Sequence, residues 1–400
     1  MIKIEMLATG DEVLHGQIID TNSAWLADFC WENGLPLVRK QTVGDNLDAL
    51  ISVMEERSRV ADVLIVNGGL GPTSDDLSAV AAAKLADVPL VLNSQWLNTM
   101  SAFFTQRGRV MSDSNRKQAE LPLGAEMLDN PIGTACGFML RHHHCLIFFT
   151  PGVPSEFKRM VTEQILPRLK QQVIIPEPPV CLRLTTFGVG ESQLATQIDS
   201  VVIPEGLQVG YRAAPSMVEV KLTGAAEKRQ VMDKVWQQIE QRLAESIIFT
   251  GKSTFASALA AQLNARTERL VLSEGYSAGY LHWQLKLAGV QLARGEILPE
   301  QEEPLSETMA RGRILMTASD ATIALLVAGE ASGEMNLVIC TQDGDTGVRV
   351  RLNMNHYSDE TRREVMGMMA LTLLHRWLHH QPVTVMHSSC DITQMVFNPR

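Results

Sequence analysis

Short apolar runs alternate with helix-type patterns up to about residue 170. Apolar segments of strand length lie at residues 1–8, 37–43 and 61–66, while residues 21–33 and 45–58 place apolar side chains at the spacing of amphipathic helices. Gly34 follows the first of these helices, at the position where glycine commonly ends one. Strands that alternate with helices predict right-handed βαβ units around a mostly parallel sheet. We therefore expect an α/β domain over residues 1–172.

The pattern changes after residue 172, where the proline-rich segment 174–179 predicts a linker. Residues 180–246 carry a strand at 181–187, a helix from Glu191, a strand near 218–222 and a helix at 227–243, which predicts a small α+β domain. Residues 247–400 carry a helix at 253–264, strands at 269–273, 321–327, 335–341 and 347–354, and a long helix at 358–379. This order predicts an α/β C-terminal domain. The tail after Gln381 has no clear period.

Composition and charge indicate which kinds of partner the protein binds and in which cell compartment it works. The formal net charge of −10 argues against nucleic acid as a partner, because non-specific binding to nucleic acid needs a basic face. The six cysteines lie far apart without a CxxC pair, which is typical of free thiols in a reducing cytosol. No signal-peptide pattern opens the sequence, and no apolar run approaches the roughly 20 residues that span a bilayer. We expect a cytoplasmic protein without a membrane partner.

A glycine-rich segment carries the clearest chemical signal. It follows the predicted strand at 61–66 and opens a helix near Leu77: Asn67-Gly68-Gly69-Leu70-Gly71-Pro72-Thr73-Ser74-Asp75-Asp76. Glycine lets the backbone approach a ligand closely, and N–H groups at a helix start bind anions. Asp75 and Asp76 stand where carboxylates either cap the helix or hold a divalent cation against phosphate. The alternative is a tight turn with an aspartate cap. The Walker lysine is absent, so the segment is not a P-loop.

Two further loops follow predicted strands and precede helices. The first contains Thr9, Gly10, Asp11, Glu12, Gly16, Asp20, Thr21 and Asn22, and the second contains Thr150, Pro151, Gly152, Val153, Pro154, Ser155 and Glu156. Loops at the carboxyl ends of parallel strands meet at one edge, where such sheets bind ligands. The three loops together predict a site for a small anionic, nucleotide-like ligand.

These loops resemble the N-terminal domain of the CinA family. The matching motifs are Thr9-Gly10-Asp11-Glu12, Asp20-Thr21-Asn22, Gly68-Gly69-Leu70-Gly71-Pro72-Thr73-x-Asp75-Asp76, Asn130-Pro131-x-Gly133-Thr134-Ala135 and Pro151-Gly152-Val153-Pro154-x-Glu156. The resemblance implies a three-layer molybdopterin-binding-like fold and metal-dependent hydrolysis of ADP-ribose, with Mg²⁺, Mn²⁺ or Co²⁺ as the metal. Cys136 departs from the family, which usually has proline there.

The resemblance also implies roles for individual residues. Asp75, Asp76 and Glu156 are the candidate catalytic residues, and Asp11 and Asp76 the candidate metal ligands. The remaining candidates would bind the ligand: Thr9, Gly10, Asp11, Glu12, Asp20, Asn22, Gly68, Gly69, Leu70, Gly71, Pro72, Thr73, Gly133, Thr134, Pro151, Gly152 and Pro154.

Residues 183–192 look like the start of the family's small KH-like middle domain. KH modules bind RNA through a GxxG loop in a basic setting, and neither feature is found here. A spacer or a dimer contact is the favoured role. By family resemblance we expect a homodimer.

The C-terminal third is similar in pattern to the family's amidohydrolase domain, which removes the amide of nicotinamide mononucleotide. Active members carry Ala-Glu-Ser-Cys-Thr-Gly-Gly with a presumed serine nucleophile. This chain has Ser273-Glu274-Gly275-Tyr276-Ser277-Ala278-Gly279, so Gly275 takes the serine position. The family's Tyr-Ser-Asn-x-x-Lys is replaced by residues 293–299, which have neither tyrosine nor lysine, and its Thr-Gly-Ile-Ala-Gly-Pro loop by residues 327–333. We predict a domain that keeps the scaffold without the deamidase chemistry.

Two groups of histidines are weaker candidates for a metal site. His142, His143 and His144 lie between two apolar strand patterns, which predicts an exposed hairpin tip rather than a metal site. His375 and His379 have the spacing of zinc ligands on a helix, but without an HExxH pattern a helix end is favoured.

Three functions compete. The first is a hydrolase of a nucleotide pyrophosphate, in which Asp11, Asp75, Asp76 and Glu156 position metal and phosphate and the metal activates water. The second is a non-catalytic regulatory protein that binds a nucleotide or a pterin. The third is a nicotinamide-mononucleotide deamidase, which the missing nucleophile disfavours. Carboxylates serve both metal capture and helix capping, so the first and second both stay open.

Overall fold

The computed structural model describes residues 2–35, 37–172, 177–214, 217–330, 334–385 and 387–399. The chain forms two compact units, Met1–Pro179 and Val180–Arg400. The boundary between them lies at the end of the predicted linker, of which residues 174–176 are outside the described residues. The predicted further division at residue 246 stays a prediction.

The first unit alternates strands and helices as predicted. Its strands are β1 (Ile4–Thr9), β2 (Leu37–Val43), β3 (Val63–Asn67), β4 (Leu90–Leu92), β5 (Glu120–Pro122), β6 (Glu126–Leu128), β7 (Gly137–His142) and β8 (Cys145–Thr150). Its α-helices are α1 (Asp11–Leu14), α2 (Thr21–Glu32), α3 (Leu47–Ser58), α4 (Ser78–Leu85), α5 (Ser94–Gln106), α6 (Pro154–Met160) and α7 (Leu166–Gln172). A 3₁₀ segment (Asp113–Ala119) and a π-helical turn (Val161–Ile165) complete it.

Six of these strands form one sheet, in the order β2-β1-β3-β8-β7-β6. Strands β2, β1, β3 and β8 are parallel, and β7 and β6 pair antiparallel at one side. Side chains alternate between two cores: Leu7 packs in one with Leu50 of α3, and Met6 packs in the other with Leu26 of α2 and Phe157 of α6. Helices therefore cover both faces, which confirms the three-layer arrangement.

The register of the parallel strands brings their carboxyl ends together. Ala8 on β1 lies opposite Asn67 on β3, and Asn67 lies opposite Thr150 on β8. The loops that follow these three strands therefore start side by side at one edge of the sheet.

The second unit contains two sheets. Its strands are β9 (Val180–Phe187), β10 (Leu207–Ala213), β11 (Met217–Gly224), β12 (Ile247–Thr250), β13 (Leu270–Glu274), β14 (Leu292–Ile297), β15 (Ile323–Gly329), β16 (Met335–Cys340), β17 (Gly344–Leu352) and β18 (Cys390–Pro399). Its α-helices are α8 (Glu191–Ile198), α9 (Arg229–Leu243), α10 (Phe255–Ala265), α11 (Tyr280–Leu287), α12 (Leu305–Ala318) and α13 (Asp359–Leu378), with a 3₁₀ turn at Ala226–Lys228.

The smaller sheet is antiparallel, in the order β10-β11-β9-β12, and helices α8 and α9 share its core through Leu194 and Trp236. This is the α+β arrangement that the sequence predicts. Strand β12 pairs with β9, so residues 247–250 complete this sheet although the predicted boundary places them in the next domain.

The larger sheet has the order β14-β13-β15-β16-β17-β18. Strands β14, β13 and β15 are parallel and the others antiparallel. Helices α10, α11 and α13 share one core with it, and α12 packs in a second core. The C-terminal region is thus α/β, as predicted. Strand β18 was missed because it is an edge strand with mostly exposed side chains, so it leaves little apolar signal.

Two composition-based expectations can be compared with the fold. All six cysteines are free thiols, as predicted. Within the described ranges no helix is long and apolar enough to cross a membrane.

Candidate functional site

A cavity of about 560 Å³ opens at the carboxyl edge of the first unit's sheet. The three predicted loops meet there. Its lining includes most of the predicted site residues: Thr9, Gly10, Glu12, Asp20, Asn22, Gly68, Gly69, Leu70, Gly71, Pro72, Asp75, Asp76, Thr134, Pro151, Gly152, Pro154 and Glu156. Asp11, Thr73 and Gly133 are not among the lining residues, but each lies next to one of them: Asp45, Asp76 and Glu156, respectively.

Two asparagines tie the three loops together. Asn67, at the end of β3, donates from Nδ2 to the Pro151 carbonyl at 2.7 Å, and its Oδ1 accepts from Asn22 Nδ2 at 3.0 Å. Asn22 also donates to the Gly152 carbonyl at 2.8 Å. Both side chains are buried. The loops are therefore fixed by hydrogen bonds that a ligand need not supply.

Two buried acceptors at the cavity have no hydrogen-bond partner among the described residues. They are Oδ1 of Asn22 and Oγ1 of Thr9. A buried polar atom without a hydrogen bond costs free energy, and such atoms mark places where a ligand or a water molecule completes the structure. The site thus offers hydrogen-bond acceptors beside its glycine-rich loop.

Gly68 makes the close approach of two loops possible. Its φ of +111° is rare for other residues, and a Cβ at this position would lie 2.6 Å from Thr9 Oγ1 and 2.8 Å from the Thr9 carbonyl. Any side chain here would push the β1 and β3 loops apart. This explains why the glycine stands at this position in the predicted motif.

Asp45 is an acidic site residue that sequence reasoning missed. It lines the cavity and shares reciprocal hydrogen bonds with Asp11. Burial raises the pKa of the Asp45 carboxyl, while the hydrogen bond from Asp11 lowers it. Repulsion from the carboxylates of Asp11, Glu12 and Asp75 raises it further. A local signal existed, because Gly44-Asp45 follows a parallel strand as the other loops do, but we assigned Asp45 to the start of a helix.

Asp76 has a structural partner within its own loop. Its Oδ2 accepts from the Thr73 backbone N–H at 2.9 Å and from the Thr73 hydroxyl at 2.5 Å. Lys117 Nζ donates to the Asp76 carbonyl at 2.8 Å and to the Thr73 carbonyl. The side chain therefore caps its own loop and not the helix that the alternative above predicts, because the N-cap of α4 is Leu77 and no side chain of the described residues caps it. The pairing of Asp11 with Asp76 as metal ligands stays a prediction.

Glu156 lies in the first turn of α6 and faces the cavity. Its Oε2 accepts from Asn130 Nδ2 at 2.7 Å. A Cβ on Gly133 would lie 2.2 Å from the Glu156 Cδ atom, so the glycine makes room for the carboxyl group. Burial raises the pKa of Glu156, while the bond from Asn130 lowers it. A carboxyl group with a raised pKa is suited to giving or taking a proton.

The second unit holds the residues that correspond to the amidohydrolase motif. Glu274, at the end of β13, is fully buried, and its carboxylate accepts four hydrogen bonds. One comes from the Ser277 hydroxyl at 2.9 Å, and three come from backbone N–H groups at the start of α11 at 2.8–3.1 Å. Three of these bonds go to Oε2, and the one from the His282 N–H goes to Oε1. Glu274 therefore caps the start of α11.

The other hydroxyls near this motif are also engaged. Ser273 is buried and accepts from Arg311, which in turn pairs with Glu303 at 2.7 Å. Tyr276 is fully buried; its hydroxyl donates to Asp359 at 3.1 Å. Gly275 offers only its backbone N–H, which donates to the Val327 carbonyl at 2.7 Å. Each hydroxyl of this group, in Ser273, Tyr276 and Ser277, thus already has a hydrogen-bond partner in the fold.

Comparisons with known proteins show to which family the chain belongs. A family model described as a probable molybdopterin binding domain matches residues 5–171, and one described as the damage-inducible protein CinA KH domain matches residues 183–248. A CinA-like protein of Escherichia coli (strain SMS-3-5 / SECEC) is 50% identical over 394 residues, which cover 98% of each chain. The chain belongs to the CinA family. Another family member, the NMN amidohydrolase-like protein YfaY of Escherichia coli strain K12, has the same identity and coverage.

Solved structures give a further comparison. The protein CinA from Thermoplasma acidophilum, whose function is given as unknown, is 25% identical. It covers 43% of this chain and 98% of its own, with a TM-score of 0.38. The predicted family, with a molybdopterin-binding-type domain followed by a KH-like domain, is thus confirmed by the sequence comparisons.

Proposed function

We propose that the first unit binds a nucleotide pyrophosphate of the ADP-ribose class and hydrolyses it with a divalent metal ion. The observation that carries this proposal is the cavity itself, where glycine-rich backbone and several carboxylates meet at the carboxyl edge of a parallel sheet. The backbone suits phosphate oxygens, whereas carboxylates beside an anionic ligand require a cation between them.

The residues present fit such a cation. Mg²⁺ and similar ions are commonly held by one or two carboxylates together with phosphate oxygens. Asp11 and Asp45 supply two adjacent carboxylates. The negative charges of Glu12 and Asp75 add to the negative potential around Asp45. When bound, the ion would neutralise phosphate charge and acidify a water molecule. Mg²⁺, Mn²⁺ and Co²⁺ are the candidates.

The chain's own residues have separate tasks in this proposal. The backbone N–H groups of residues 69–71 face phosphate, and the oxygens of Thr9 and Asn22 without a partner among the described residues accept hydrogen bonds from ligand hydroxyl groups. Asp75 and Asp76 shape the loop and its charge. Glu156, with its raised pKa, holds or moves a proton at its carboxyl oxygen.

The test uses the purified full chain with ADP-ribose and each of the three ions, and it measures AMP formation. We expect metal-dependent AMP release. Calorimetry with the same ligand should show binding that is lost in an Asp75→Ala/Asp76→Ala variant. Unchanged binding in this variant would remove the proposed site.

A second candidate function is a non-catalytic nucleotide- or pterin-binding regulator. The structural use of Asp76 in capping favours it, because this carboxylate already has partners. Ligand binding without AMP formation at any of the three ions would select this function over hydrolysis.

The second unit, in this proposal, has no deamidase activity. Gly275 lacks a hydroxyl, Ser273 is bonded to Arg311, and Ser277 donates to a carboxylate that also accepts three backbone N–H groups. The test is ammonia release from nicotinamide mononucleotide, with an active family member as the positive control. Turnover comparable to the control and abolished by Ser277→Ala would overturn this part.

We also propose a homodimer, on family resemblance, and a cytoplasmic location, on the six free cysteines. Light scattering at micromolar concentration should give about twice the chain mass of 44.1 kDa. The monomer mass would contradict this.

A further inference from the structure

The hairpin between β7 and β8 presents two histidines side by side. His142 ends β7 and pairs with Cys145 on β8, so His143 and His144 form a two-residue turn. The backbone of His143 is left-handed, with a φ of +52°. This turn brings the rings of His142 and His143 to a centroid distance of 4.3 Å.

A carboxylate from α3 meets both rings. His142 Nε2 lies 2.7 Å from Glu55 Oε2, and His143 Nε2 lies 3.0 Å from Glu55 Oε1. One ligand atom from each of the three residues lies within 4.8 Å of the others. Among the described residues, no other group of three or more histidine, cysteine or acidic side chains brings its ligand atoms this close together.

We propose that Glu55, His142 and His143 bind one divalent transition-metal ion, of which Zn²⁺ is the best match. Two imidazoles and one carboxylate form a donor set typical of Zn²⁺, and a water molecule completes four-coordination. At Zn–N and Zn–O distances of about 2.1 Å, tetrahedral ligand atoms are about 3.4 Å apart. The three side chains therefore need only small adjustments around a common centre.

The surroundings permit this adjustment. The side chains of His142, His143 and Glu55 are 19%, 36% and 34% exposed, so an ion can enter from solvent. Arg59 also contacts Glu55, but its side chain is 64% exposed and can swing into water.

The site is separate from the ligand cavity. The hairpin is at the start of β8, whereas Thr150 and the cavity are at its end. Five residue steps at about 3.3 Å each place the two ends about 17 Å apart. A bound ion would tie α3 to the hairpin and stabilise this end of the sheet, without a part in the chemistry proposed for the cavity.

The test titrates Zn²⁺ and Co²⁺ into the metal-free full chain in excess Mg²⁺, which occupies hard oxygen sites. We expect one equivalent of Co²⁺ with the intense visible absorption of tetrahedral geometry, and its displacement by Zn²⁺. His142→Ala, His143→Asn and Glu55→Gln should each weaken binding more than about tenfold. Asparagine is chosen at 143 because it tolerates a left-handed backbone.

Two controls make the outcome decisive. His144→Ala should keep full affinity, because His144 faces Asp62 at 4.0 Å and lies outside the group. Circular dichroism without metal separates misfolded variants from those that have only lost a ligand. Hydrogen exchange at residues 140–146 should slow when Zn²⁺ binds to the wild-type chain. Binding that survives His143→Asn, or that His144→Ala weakens equally, would overturn the proposal.

Discussion

Asp11 and Asp45 each accept a hydrogen bond from the other's backbone. The Asp11 N–H donates to Asp45 Oδ2 at 3.1 Å, and the Asp45 N–H donates to Asp11 Oδ1 at 3.2 Å. The exchange joins the start of α1 to the end of β2. It also holds two carboxylates beside each other at the edge of the cavity. The same contact therefore fixes the two loops and concentrates negative charge there.

The raised pKa of Asp45 predicts how stability depends on pH. A raised folded-state pKa means that ionisation of Asp45 opposes folding. The contribution of this carboxyl group to the free energy of unfolding is therefore fully present below its usual pKa of 3.8 and is lost as the pH rises through the folded-state pKa. Asp45→Asn keeps an acceptor oxygen and removes the charge. We expect a higher Tm than wild type at pH 7 and little difference below pH 3.8. A lower Tm at pH 7 would contradict the assignment.

The same substitution should weaken ligand binding. If Asp45 helps to hold a divalent ion against phosphate, then Asp45→Asn should lower the affinity for ADP-ribose with Mn²⁺ by about tenfold or more. Asp48→Asn is a matched control, because Asp48 is exposed in the first turn of α3 and does not line the cavity. Calorimetry on both variants compares them. A variant that gains stability and loses binding shows that the charge is kept for the ligand.

The sequence predicted most of this fold because its signals are local. Alternating strand and helix patterns and glycine-rich turns mark the three loops of the cavity, and their motifs identify the family. Glu55 shows where such reasoning ends. Its partner His142 is 87 residues away, and nothing in the helix that carries it indicates that contact. The residues that replace the family's amidohydrolase motif can be identified from the sequence alone, but the four hydrogen bonds that Glu274 accepts come from the folded turn.

Glu156 gives a prediction about chemistry rather than binding. Glu156→Gln keeps the size of the side chain and an acceptor for Asn130, but it cannot release a proton. We expect AMP formation from ADP-ribose to fall by about 10²-fold or more, with affinity changed only slightly. Glu163→Gln is the control, since Glu163 forms an exposed pair with Arg159 at 3.0 Å. Equal rates for the two variants would remove Glu156 from the reaction.

Ala278 predicts a gain in stability from a single methyl deletion. Its φ is +52°, a left-handed conformation that costs an L-residue about 1–2 kcal/mol, and its side chain is exposed. Active family members have glycine here. Ala278→Gly should raise the free energy of unfolding by about 0.5–1 kcal/mol after the entropic cost of glycine. Ala310→Gly, on the exposed side of α12, should lower it by about 1 kcal/mol. Urea unfolding of both variants measures the contrast.

Gly275→Ser restores the family's presumed nucleophile and tests whether that residue alone is missing. The substitution should be tolerated, because a Cβ at this position would lie 3.4 Å from the Val327 carbonyl, an ordinary contact. We still expect no ammonia release from nicotinamide mononucleotide. The new hydroxyl would have no available base, since Glu274 already accepts four hydrogen bonds, and residues 293–299 supply no tyrosine or lysine.

The measurement compares wild type, Gly275→Ser and an active family member at equal concentration, with circular dichroism to confirm folding. Members of one catalytic unit act together, so replacing one of several lost groups restores little of the rate. Ammonia release by Gly275→Ser above the wild-type background would show that the remaining machinery is intact. The hydrogen bonds of Glu274 would then have to loosen when substrate binds, and the helix cap that they form would be part of a working site.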